Sequence, residues 1–412
     1  AGGGELLRRL RADPAPGSPA AEFGRIELRE GEIVVTDAAT GATWRMLGIR
    51  LALERTGTEI AGTLTCDAEL GASRIPVQVD AAYRRDPPGA VATLWFDRLV
   101  PATAAPLVPS EATRSALARL DLPIGGTLQM ELDGDLGPRS ARLDAGSGAG
   151  RIAMPELPMG AASVQRVALS ATFDSASNAL QVETLGLDLG TMHIGLHGLV
   201  TGLRDAPRVE MDATVDHLPT ADLAGWWPPG AEAAARAWVT NRITRGTVRA
   251  AKLHLTGNAA DGRVVPDAVT LAATFDDLTV RYLDTMPPAR ALAGTMSMTA
   301  GRWRFRLARG AVENLDVAHG SVDIDGKAPR AIVDAAVRGP VATALGLAAR
   351  AGRTGDLGID PSQTGGTVTG NVRFDIPLAR TSRPEDVGFT VAARLKDASL
   401  ARAFRGWSFS DG

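Results

Sequence analysis

The stretch Arg50-Leu-Ala-Leu-Glu-Arg-Thr-Gly-Thr-Glu-Ile60-Ala-Gly-Thr-Leu-Thr-Cys66 sets Leu51 and Leu53, then Ile60, Gly62, Leu64 and Cys66, at every second position. Side chains on a strand alternate between its two faces, so this spacing describes two half-buried strands joined at Thr56-Gly57. The same period recurs at Ile26-Leu28, Ile33-Val35, Ile49-Leu51-Leu53, Ile75-Val77-Val79, Val167-Leu169-Ala171-Phe173 and Phe389-Val391-Ala393-Leu395. Arg50, Glu54, Gln78, Asp80 and Arg166 fall between the apolar positions. Counting such runs predicts roughly twenty strands of ordinary length. Only about three segments carry helical periodicity, too few to cover the apolar face of such a sheet.

Short connections such as Glu30-Gly31, Glu69-Leu-Gly71 and Asp86-Pro-Pro-Gly89 suit an antiparallel meander and leave no room for parallel crossovers. The three helices are expected from Ser110, a capping residue, to about Leu120; from about Ala231 to Ile243, after Trp226-Trp-Pro-Pro229; and from Pro340 to Arg350. Trp238 and Ile243 should dock the second helix on the sheet. Residues 1–21, with Pro14, Pro16 and Pro19, read as a connector. Residues 22–412 read as one continuous body, divisible by its helices into units 22–109, 110–217, 218–338 and 339–412. The expected fold is mainly β: an elongated, curved, largely antiparallel sheet forming a taco-like groove, with about three short bracing helices.

Across 412 residues, 45% are hydrophobic and 22% charged, with a net charge of -3, so no basic excess invites nucleic acid. Cys66 is the sole cysteine, which excludes an intrachain disulfide and places a small apolar side chain in the Ile60–Cys66 alternation. The stretch Ala1-Gly-Gly-Gly-Glu5 lacks the initiator and apolar core of a signal peptide, and no run reaches the 18 or so apolar residues of a spanning helix. The chain therefore reads as part of a longer protein.

Catalytic chemistry is not evident. His193 and His197 stand on a segment that reads as strand, where four residues span roughly 13 Å, too far for one metal ion. His217, His254 and His319 are isolated in sequence. Gly146-Ser-Gly-Ala-Gly150 lacks the lysine and hydroxyl residue of a phosphate loop and reads as a turn. Asp323-Ile-Asp325-Gly326 has too few ligands for a calcium loop. Asp133, Asp135, Asp276 and Asp277 have no partner acid, base or nucleophile nearby in sequence. The expectation is a protein without enzymatic activity, cofactor or metal.

Leu218-Pro219, Ala237-Trp-Val239 and Gly246-Thr-Val-Arg-Ala-Ala-Lys-Leu-His-Leu-Thr-Gly257 follow one another in an order that resembles the AsmA-like superfamily of Gram-negative bacteria, nearest its YhdP-type branch. Gly24-Arg-Ile-Glu-Leu-Arg-Glu-Gly-Glu-Ile33, Leu122-Pro-Ile-Gly-Gly-Thr-Leu128 and Gly339-Pro340 through Asp360-Pro361 to Ile376-Pro-Leu378 extend the likeness over most of residues 24–412. The resemblance implies a body in the periplasm, anchored to the inner membrane by a helix of the parent protein. It also implies phospholipid transport toward the outer membrane. This sequence contains no such membrane helix.

The residues lead to a similar expectation on their own. An uncovered apolar floor can hold phospholipid acyl chains, each of about sixteen carbons and each methylene stabilised by about 0.8 kcal/mol on burial. Ile49, Leu51, Leu53, Val77, Val79, Val167, Leu169, Leu187, Leu253, Leu271, Phe305, Val372 and Val391 are the expected floor. A periplasmic scaffold or outer-membrane assembly factor that binds partner proteins on the same sheet is the alternative. A membrane barrel would need aromatic girdles, and the chain has two tyrosines and 4% aromatics. A β-helix would need short regular coils rather than long strands with meander turns.

Overall fold

The computed structural model describes residues 24–36, 43–70, 73–108, 110–230, 233–260, 263–325, 330–351, 360–377, 386–403 and 407–409. The expected connector, residues 1–21, lies outside them. The first half of the described chain contributes β1 (Arg25–Thr36), β2 (Thr43–Thr56), β3 (Glu59–Leu70), β4 (Ser73–Arg85), β5 (Pro88–Leu99), β6 (Leu120–Asp121), β7 (Ile124–Asp133), β8 (Pro138–Ser147), β9 (Gly150–Met154), β10 (Gly160–Val164), β11 (Arg166–Asp174) and β12 (Ala179–Asp188). The second half contributes β13 (His193–Thr201), β14 (Arg208–Asp216), β15 (Leu218–Pro219), β16 (Ile243–Ala260), β17 (Arg263–Val280), β18 (Ala289–Thr299), β19 (Arg302–Val312), β20 (Leu315–Asp325), β21 (Arg330–Pro340), β22 (Thr364–Pro377), β23 (Gly388–Ala403) and β24 (Trp407–Phe409).

All of these except β6, β9 and β10 join one sheet, in which each strand pairs antiparallel with the next along the chain. β14 and β15 both pair with β16 and are separated only by His217, so the sheet has twenty rungs. Among the described residues no pairing joins β1 to β24, and the sheet is open. At about 4.8 Å between strands it extends on the order of 90 Å across its strands.

The two margins of this sheet differ. One is made of tight connections such as Gly57-Thr58, residues 134–137 and Ala300-Gly301. Among the described residues every helix of the segments joining the sheet strands up to β22, and the small sheet β6–β9–β10, is inserted at the other. The helices Glu111–Ala118, Ala233–Arg242 and Val341–Arg350 fall where the sequence predicts them, with short turns at Pro101–Ala104 and Leu223–Trp226 in addition. Ser110 caps the first, its hydroxyl accepting the Thr113 N–H at 3.4 Å.

The inserted elements link into a band. The Ala153 N–H donates to the Arg119 carbonyl at 2.8 Å, and β9 pairs with both β6 and β10. The turn before β10 reaches Gly225, whose carbonyl accepts the Met159 N–H at 3.4 Å. Arg236 then ties the Leu223–Trp226 turn to the next helix by donating to the carbonyls of Trp227 at 3.0 Å and Ala224 at 2.9 Å. Trp238, expected to dock this helix on the sheet, instead stands 43% exposed, whereas Ile243, expected beside it, packs against Phe275, Leu278 and Leu292. Gly146 to Gly150 is not a free turn either: Gly146 is paired inside β8 with both Gly125 and Ala168, and Gly150 opens β9.

Bulges concentrate on the same side. Register shifts coincide with left-handed residues at Arg98, Ala250, Asp277 and Ala291, all toward the helix-bearing ends of their strands. Each bulge bends its strand and adds local twist, and fewer shifts, such as those at Glu131/Leu132 and Thr256/Gly257, fall toward the hairpins.

Candidate functional face

Directly paired residues of neighbouring strands put their side chains on the same face, so the register assigns a face to every residue. Leu51, Leu64, Val79, Leu94, Leu128 and Leu143 stand opposite one another across β2, β3, β4, β5, β7 and β8. Farther along, Met296, Phe305, Val322, Val333, Phe374 and Phe389 form a second row from β18 to β23. Followed from β1 to β23, these rows belong to one face, and all thirteen expected floor residues lie on it. Val77, Leu169, Leu253 and Leu271 even share one row, through Phe96, Gly126, Ala145, Leu185, Leu196 and Ala213.

Burial separates the thirteen. Eleven are half-buried. Ile49 is 1% exposed, closed in near the helix-bearing half where Gly31 pairs with it, so its side chain is a packing residue and not a surface. Val391, near the far end, is 53% exposed. Leu64, Leu94, Leu128, Leu196, Met296 and Phe374 are not among the thirteen yet occupy the same rows. The alternation that marks Leu51 marks them equally.

A second layer would bring such residues close to zero exposure. Instead, the buried apolar set is confined almost wholly to the helix-bearing half. It includes Cys66, Ile75, Leu218, Phe275, Leu278, Leu292, Leu315, Val317 and Val368, and among the described residues only Ile60 and Ala331 lie toward the hairpins. Two clusters anchor it. Phe275, Leu278 and Leu292 gather Ile243, Val280, Met296 and Phe305, with the Phe275 and Phe305 rings 6.5 Å apart at 60°. Leu315 and Val368 pack against Val341, Leu345 and Leu347 of the Val341–Arg350 helix.

The opposite face is polar. Arg142 pairs with Asp144 and Glu183 across β8, β11 and β12, and the Ser170 and Thr172 hydroxyls donate to the same carboxylates. Hydrogen bonds from Ser170 and Arg142 hold Asp144 below the usual carboxylate range, and those from Thr172 and Arg142 do the same for Glu183. Arg304 and Arg306 share Asp323, and Arg373 pairs with Asp334. His193 and His197 lie on this face, as the strand reading requires, each beside an aspartate: Asp188 and Asp212, both at 3.5 Å. His254 completes a rung on Asp212 at 2.9 Å.

Among the described residues no group of three or more histidine, cysteine or acidic side chains could hold a metal ion, and no helix is long and apolar enough to cross a membrane. Burial raises the Cys66 thiol above its ordinary pKa, with the charge of Asp67 adding to the effect. Compared with known proteins, the chain matches no family model, no curated protein and no solved structure.

Proposed function

We propose that the apolar face binds phospholipid acyl chains and lets them move along the sheet between the inner and outer membranes. The observation that carries this reading is the continuity of one half-exposed apolar face from β1 to β23, beside a buried core concentrated toward one margin. Water against such a face is costly, at about 25 cal/mol per Å² of apolar surface. An acyl chain of about sixteen methylenes would gain on the order of 13 kcal/mol by lying there, comparable with what it leaves in a bilayer. Aliphatic side chains offer no directional contact, so neighbouring positions along a row bind about equally and no deep trap stops the lipid. Headgroups remain in water, and direction is set by supply and removal at the two ends. In this reading the body stands in the periplasm, anchored to the inner membrane through its parent protein, and is not an enzyme.

Organic-solvent extraction of the purified protein, followed by mass spectrometry, tests the proposal. Phospholipid at one or more molecules per chain is expected. Protein that is folded, purified from membrane-containing lysate and free of lipid would favour the scaffold alternative, in which the face receives partner proteins.

A further inference from the structure

The Ala233–Arg242 helix ends beside an open hollow of about 480 Å³, lined by Ala237, Trp238, Asn241, Arg242, Arg281 and Asp284. Ala237 and Asn241, like Trp238 and Arg242, are four apart and so share one side of the helix. The backbone closes the base of the hollow, with the Arg281 N–H donating to the Arg242 carbonyl at 2.8 Å. Ile243 and Val280, the next residues inward, are paired across β16 and β17 and pack against the Phe275–Leu278–Leu292 cluster of the apolar face. The two arginines therefore stand where the apolar face gives way to the margin.

Three features of this hollow bear on what it could hold. Trp238 is 43% exposed and Leu283, beside Asp284, is 45% exposed. Indole rings of this kind settle at the level of lipid headgroups, where one edge is apolar and the other wet. Arg242 is held by Asp284, whose side chain is 82% exposed. Arg281 is exposed, and among the described residues it has no ion-pair partner within 4 Å, although its charge reaches Asp284 and helps to keep that carboxyl ionised. An exposed ion pair such as Arg242–Asp284 contributes little to stability and yields readily to a competing anion.

We propose that this hollow is a subsite for the phosphodiester of an amphiphile whose chains lie on the adjoining apolar face, an inference that rests on the lipid-binding reading above. Arg281 supplies the free guanidinium, Arg242 joins it as Asp284 swings out, and the Trp238 ring covers the glycerol portion. A phosphate group accepts charge-assisted hydrogen bonds from both arginines, which a neutral lipid of the same chain length cannot.

Equilibrium binding of dihexanoyl phosphatidylglycerol, dihexanoylglycerol and inorganic phosphate, measured by calorimetry on the full chain and on R281Q and D284N, tests this. The phospholipid should bind about tenfold more tightly than the diacylglycerol, and R281Q should remove most of that difference. D284N should tighten phospholipid binding, a gain that a damaged fold cannot produce. Equal binding of the two lipids by all three proteins would overturn the subsite and leave the apolar face intact as a lipid site. Inorganic phosphate binding as tightly as the phospholipid would also overturn it, by marking a free-anion site. Binding of neither lipid would remove the subsite together with the reading on which it rests.

Discussion

The hairpin margin and the helix-bearing margin are built from the same strands, yet one leaves its apolar residues half-exposed and the other buries them. Leu51 and Leu53, toward the hairpin at Gly57, are half-buried, while Phe275 and Leu278, at the far ends of equally alternating strands, are 4% and 7% exposed. Alternation therefore decides which face a residue occupies, and insertions decide whether that face is covered. Among the described residues the inserted helices and the small sheet all follow β5, β8, β14/β15 and β21, at one margin, while the other is closed at Gly57-Thr58, residues 134–137 and Ala300-Gly301 by turns too short to cover anything.

The largest way to break this contrast is to truncate one residue of each kind. Phe275→Ala should cost about 3–5 kcal/mol in denaturant unfolding, because it opens a cavity that surrounding side chains cannot fill. Leu128→Ala, in the half-exposed row, should cost about 1 kcal/mol, since it removes contacts without leaving a sealed void. Similar costs at the two sites would mean that the row is as tightly enclosed as the cluster.

Glycine sharpens the same comparison. Gly246, with φ +129°, lies near the start of β16 after the Ala233–Arg242 helix, three residues beyond Ile243, and a Cβ there would fall 2.8 Å from the Leu278 Cα. Gly57, with φ +59°, turns the hairpin into β3, and a Cβ there would meet nothing within 4 Å. Gly246→Ala should cost upward of about 2 kcal/mol and Gly57→Ala about 1 kcal/mol, the strain of a left-handed alanine alone. Thermal melts of both variants check the order.

The smallest effect is on pH. Asp144 and Glu183 have pKa values lowered by their hydroxyl and Arg142 partners, so their contribution is present above the ordinary carboxylate pKa and is lost as pH falls through the lowered values. Cys66 runs the other way: its raised pKa makes stability decline as pH climbs above the ordinary thiol value of 9.0. Arg142→Gln should flatten the acid side of a pH–stability profile and leave the alkaline side unchanged.

Much of this architecture was legible from residue spacing. Strand alternation located the apolar face, and it assigned both Leu169 and Leu271 to that face although about a hundred residues separate them; the register then sets them on one row. Proline, glycine and serine punctuation located the three longer helices. Burial depth was not legible: Ile49 and Leu51 are two positions apart in one strand, and only the register shift near Gly48 and the pairing with Gly31 explain why the first is enclosed. Nor was the exposure of Trp238, since helical periodicity does not show that Arg236 would tie the helix to the preceding turn through the Trp227 and Ala224 carbonyls. The sheet β6–β9–β10 was missed because strands of two to five residues carry too little alternation to register.

The central claim is tested most directly by two neighbouring residues on opposite faces. Leu169 lies on the apolar face and Ala168 on the polar one, in the middle of the same strand. With lipid quantified by mass spectrometry after purification, Leu169→Asp should lose most bound phospholipid while Ala168→Asp retains it at the level of the unaltered protein. Equal lipid content in the two folded variants would contradict an acyl-binding face.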